Sequence, residues 1–171
     1  MSLPKTAFVG LIAALSLILL FGCTTTQTDK EALFKFSLLQ QKYFVSNGYS
    51  SNLTTMNDYV SELSLLAAKS GGESAKIIEA ELYSAEAFYY LNKTIVQSVS
   101  IDSKQIKCSS NEVKEIITSV KLASDYSSKA VISISALTVD QQNSIRTNQS
   151  NLVLGQQEEI EQIKKFFEEK C

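Results

Sequence analysis

The chain has 171 residues, 16 basic against 18 acidic side chains for a net charge of −2, three cysteines, and neither histidine nor tryptophan. The lack of histidine excludes Ser-His-Asp and Cys-His catalysis, histidine-ligated zinc, ExxH di-iron sites and a haem histidine, so an enzyme here would work with carboxylates, lysine, tyrosine or a hydroxyl. Arg146 is the sole arginine and the balance is weakly acidic, so no nucleic-acid partner is expected, because phosphate binding needs clustered Lys and Arg.

The N-terminus divides as an export signal does. Met1 to Lys5 carry one lysine, and Ala7 to Phe21 are apolar apart from Gly10 and Ser16. An apolar run of about 15 residues is shorter than the roughly 20 that span a bilayer as a helix. It ends in Leu20-Phe21-Gly22-Cys23. This run resembles the lipobox of prokaryotic lipoproteins, with Phe21 standing where a small or medium residue is more usual. The resemblance implies residues 1–22 as signal peptide, cleavage between Gly22 and Cys23, and lipidation of Cys23. The lipid would be a diacylglyceryl thioether, often joined by an N-acyl chain such as palmitate, and membrane lipid would be the first partner. It further implies a domain on the exported side of the cell membrane. Thr24, where an aspartate would retain it there, points to the outer membrane in a host with two. The alternatives are an uncleaved anchor or an ordinary signal. Residues 23–28 then form the lipidated cysteine and a polar tether, whose five residues after Cys23 reach about 17 Å when extended. Residues 29–171 remain as one domain, and loss of Lys5 takes the net charge to −3.

Pro4 is the only proline, and the rest of the chain is permitted long helices. Ala32, Phe36, Leu39 and Tyr43 predict a first helix from about Asp29. Phe34, Leu38 and Val45 make a second stripe on it, and Asn47-Gly48 is a left-handed stop. Ser51 or Asn52 caps a second helix whose Leu53, Met56, Tyr59, Val60, Leu63 and Leu66 share a face, ended by Ser70-Gly71-Gly72. A third helix runs from about Glu73 to Ser100. Its stripes, Ile78, Leu82, Ala85, Tyr89, Val96 and Val99 beside Ile77, Ala80, Phe88, Leu91 and Ile95, cover more than half the circumference and predict a central helix touching several neighbours.

After a polar loop from Ile101, Ser109-x-x-Glu112 matches a capping box for a fourth helix, from Val113 to Leu137. Thr138-x-x-Gln141 caps either a short helix or nothing more than a loop. A final helix spans about Asn151 to Lys170, with Val153, Ile160, Ile163 and Phe167 inward and Glu161 and Lys165 as an outward i,i+4 pair. Short connections between long helices predict an all-α fold, an antiparallel bundle of four to five long helices.

With Cys23 assigned to lipid, Cys108 and Cys171 remain, and an exported pair favours a disulfide. Cys108 precedes the fourth helix and Cys171 ends the last, so antiparallel packing returns both to one end. Two separate thiols, or a redox or metal-binding pair, are the alternatives, and CxxC spacing is missing for the latter.

Glu79, Tyr83, Glu86 and Tyr90 recur at i, i+4, i+7 and i+11 on the polar side of the third helix. Such a strip suits a protein contact, a cation or a polyhydroxylated ligand, or it is simply solvated. Its two carboxylates are about 10 Å apart, too far to share one metal. The acidic Glu158, Glu159, Glu161, Glu168 and Glu169, with Lys164 and Lys165, read as a solvated face, and Lys104, Lys107 and Lys114 as an exposed loop cluster. Asn52, Asn92 and Asn148 open glycosylation sequons. No cofactor or metal is expected. The sequence leads to a lipid-anchored, non-enzymatic envelope protein acting in structure or through an unknown protein partner. The alternatives are an accessory subunit of a transport or secretion system, and a small-ligand-binding protein or enzyme.

Overall fold

Ala32 and Phe36 stand one helical turn apart and both bury against neighbouring helices, which is why the chain winds into a helix there. The computed structural model describes residues 29–44, 48–99, 108–145 and 148–171, and over 148–156 the backbone alone. These form α1 over residues 29–43, α2 Leu53–Ala67, α3 Gly72–Val99, α4 Asn111–Ser135, the short α5 Val139–Ser144, and α6 Asn148–Lys170. No strand occurs among the described residues, and the fold is all-α. Residues 1–28, on which the expected signal peptide, the Gly22–Cys23 cleavage and the expected tether fall, lie outside the described residues, as do Val45, Asn47, Ile101, Lys104, Lys107 and Arg146 and the side chains of Asn148 and Val153.

α3 and α4 run antiparallel as the central pair. Near one end Gln97 Nε2 donates to Glu115 Oε2 at 3.3 Å, and farther along Tyr83 meets Tyr126 at 6.4 Å between ring centroids. The α1–α2 hairpin packs on the first half of α3. α6 returns along α4 and also touches α3, with Ser124 Oγ donating to Glu161 Oε1 at 3.2 Å. Two cores result. Phe36, Met56, Tyr59, Leu63, Ile77 and Ile78 form the first, closed at its end by Leu137 and Ile145. Leu91, Val113, Ile116, Val120, Ile160 and Phe167 form the second. α3 contributes to both, which is why its apolar surface is wider than an ordinary amphipathic face requires.

The helix ends follow local chemistry, with some departures from expectation. Asn52 caps α2 by accepting from Thr55 N at 3.0 Å. α4 is capped by Ser110 and not by Ser109. Ser110 has the extended backbone of a cap (φ −67°, ψ 147°), and its hydroxyl accepts from Val113 N at 3.3 Å. Thr138 and Gln141 do form a reciprocal capping box, with bonds of 3.3 and 3.0 Å, and the short α5 follows. α1 ends at residue 43, before Asn47-Gly48, with Phe44 N still bonded to Gln40 O at 3.0 Å; Gly48 has no positive φ. The positive φ belongs to Gly72 (+59°) at the α2–α3 junction, where a Cβ would also come within 2.9 Å of Asp29 Oδ2. α6 begins at Asn148, earlier than expected. Glu161 does not pair with Lys165. It turns toward Ser124 of α4 and Lys164, 3.5 Å away, while Lys165 lies 3.8 Å from Glu169.

Cys108 and Cys171 are joined by a disulfide with Cα atoms 5.3 Å apart. The bridge sits where α4 begins and α6 ends, the end that antiparallel packing brings together. Among the described residues, no helix is long and apolar enough to cross a membrane.

Candidate contact site on α3 and α4

Tyr83 and Tyr90 are seven residues apart on α3, and Glu86 lies between them, so all three project from one side of the helix. Antiparallel packing sets Tyr126 and Lys129 of α4 against them. Tyr126 stacks on Tyr90 at 5.7 Å with ring planes 4° apart, and on Tyr83 at 6.4 Å and 24°. Tyr89 meets the edge of Tyr90 at 5.1 Å. The Lys129 ammonium lies over the Tyr126 ring at 5.0 Å and the Tyr83 ring at 5.7 Å, a cation–π arrangement across two phenols.

Glu86 is half-buried in this setting. Burial pushes its carboxyl up to about 7, against the hydrogen bond from Tyr126 and the charge of Lys129, both of which favour the carboxylate. Tyr126 and Tyr90 are pushed up in turn, first by burial and then by the nearby Glu86 charge. The cluster is therefore a plate of stacked phenols holding one lysine, with one carboxyl that changes charge near neutrality. Such a surface offers large rigid contact area with polar tips, and Glu86 gives it a charge that can be set by pH or by a partner's cation.

The structure brings Tyr83, Glu86 and Tyr90 together but leaves Glu79 out. Glu79 lies one turn before Tyr83 and stays exposed, joining none of these contacts. Tyr126 and Lys129 were missed by the sequence reading. Their i,i+3 spacing marks one side of α4, but only the packing register sets that side against Glu86.

A third carboxylate of α3, Glu81, faces the opposite way and is fully buried. Its Oε1 accepts from the Tyr49 hydroxyl at 3.1 Å and the Tyr59 hydroxyl at 3.0 Å. Burial pushes the Tyr49 phenol well up, with the Glu81 charge adding to the effect, so it remains a donor. At the sequon positions, the Asn52 side chain is occupied as a helix cap and Asn92 Nδ2 donates to Ser51 O at 2.6 Å. Among the described residues no group of three or more Cys, Asp or Glu is placed to hold a metal ion. No protein-family model matches the chain, and no curated protein or solved structure was found to be similar to it.

Proposed function

We propose that this chain is a lipid-anchored, non-enzymatic helical protein of a prokaryotic envelope that acts by binding another protein through the α3–α4 tyrosine plate. The observation that carries the reading is the half-buried stack of Tyr83, Tyr90 and Tyr126 around Glu86 and Lys129. Tyrosine supplies contact area at low entropic cost and is enriched in protein interfaces. A carboxyl and an ammonium inside the same plate add directional recognition. The run Leu20-Phe21-Gly22-Cys23 supports the anchoring, and the missing histidine, which removes the usual activating base for a nucleophile, favours contact over catalysis.

A photo-crosslinking amino acid placed at Glu79, exposed one turn before Tyr83 at the edge of the plate, tests the contact in intact envelopes. The expected result is one discrete adduct that Tyr83→Ala with Tyr126→Ala abolishes and Cys23→Ser weakens by removing the protein from its membrane. Adducts unaffected by the tyrosine substitutions would overturn the contact reading.

A further inference from the structure

The second apolar stripe of α1 remains outside both cores. Phe34 is 63% exposed and Leu38 46%, and Leu65 of α2, which lines the same groove as Leu38, is 62% exposed. Between the two helices runs an open groove of about 510 Å³, floored by Leu39 and Leu66 and rimmed by Lys35 and Lys69. Phe34 and Leu38 are one turn apart on a single ridge, and Lys30 lies one turn before them on that ridge. Lys35 pairs with Glu31 and Lys42 with Glu62, each at 2.7 Å, so both carboxylates lining the groove are matched. Lys30 and Lys69 make no ion pair among the described residues, and set against the exposed Asp58 on the same side of α2 they leave the face a small surplus of positive charge around an apolar centre.

The position of the chain's entry decides what covers this face. Asp29, the first residue of α1, is held at the start of α3 by the Ser74 hydroxyl, which donates to its Oδ1 at 2.8 Å. Only six residue steps separate Asp29 from Cys23, a maximum span of about 20 Å. An anchor at Cys23 therefore keeps the first turn of α1, and with it Phe34, within reach of the bilayer surface at all times. Aromatic and leucine side chains flanked by lysines are what an interfacial helix presents to headgroups and the outermost acyl segments.

We infer that the outer face of the α1–α2 hairpin lies in the membrane interface, with Phe34, Leu38 and Leu65 inserted among lipid and the flanking lysines at the headgroups. The inference rests on the lipid anchor of the proposed function, and it adds an orientation. The bundle lies with α1 and α2 against the membrane, and the disulfide end is free to reach away from it. One exposed aromatic and two leucines do not hold a protein on a bilayer by themselves, so the face acts as a second contact beside the lipid.

The chain has no tryptophan, so Phe34→Trp provides a single reporter at an exposed position where little packing is lost. The full-length protein, purified from its own envelope, is reconstituted into phosphatidylethanolamine and phosphatidylglycerol vesicles carrying brominated acyl chains. The emission of Phe34→Trp is expected to shift to shorter wavelength and to be quenched at least about twofold, as for a group buried in the interface, while Phe166→Trp on α6 is not quenched. The intact mass of the same sample reports lipid on Cys23. A mass without lipid overturns the anchor and this orientation together. Lipid on Cys23 with Phe34→Trp unquenched overturns the orientation alone and assigns the face to a second copy or a protein partner. Equal quenching of Phe34→Trp and Phe166→Trp also overturns it.

Discussion

Glu81 shows how much one buried side chain can demand of its surroundings. A carboxyl with no solvent exposure has a large desolvation cost unless its oxygens are paired, and here Tyr49 and Tyr59 both donate to the same oxygen. Removing the acceptor strands two phenol hydroxyls beside the aromatic cluster of Phe44, Tyr49 and Tyr59. Glu81→Ala is expected to cost about 3 kcal/mol in urea unfolding, whereas Glu81→Gln, which keeps an acceptor, costs about 1 kcal/mol. Equal losses for the two variants would assign the effect to volume and not to hydrogen bonding. The sequence did not disclose this residue, because the spacing of α3 does not mark which of its acids the packing buries. Its partners come from 32 and 22 residues away in the chain.

At the scale of elements, the α3–α4 seam places Glu86 where its charge opposes burial. The folded protein holds this carboxyl at about 7, above the ordinary value of 4.5 that it takes in the unfolded chain. Between those values the folded state binds more protons. The stabilisation is therefore complete below the ordinary range and is lost as pH rises through about 7. Tyr126 and Tyr90, packed around it, are pushed further above the ordinary phenol range and stay neutral there. Stability is expected to fall by on the order of 1 kcal/mol between pH 5 and pH 8, the half-exposed position having reduced the effect by solvent screening. Glu86→Gln should remove this slope, as read from urea midpoints across the range. The helices themselves were legible from their apolar spacing, and the Thr138–Gln141 box from local chemistry. The cap at Ser110 was not legible, since Ser109 and Ser110 are equivalent acceptors until the backbone turns. Nor was the use of Glu161, whose nearest partners depend on α4 lying alongside α6.

For the whole molecule, the Cys108–Cys171 bridge ties the end of α6 to the start of α4 across a sequence separation of 63. Chain entropy assigns a closed loop of that size about 4 kcal/mol. Cys108→Ser with Cys171→Ser should lower unfolding stability by about that amount and raise amide exchange in α6 first, as the terminal helix frays. An unchanged midpoint under reducing conditions would show that packing of Ile160 and Phe167 alone holds α6. The sequence by itself determined the all-α class and the central place of α3, because helical periodicity is a property of the chain alone. Only the tertiary structure decided that Tyr126 and Lys129 join Tyr83, Glu86 and Tyr90 while Glu79 stays apart, that Glu81 is buried between two phenols, and that Phe34 and Leu38 face outward. Those outcomes depend on the register and rotation of one helix against another, which arise from packing summed over many residues and are written in no local motif.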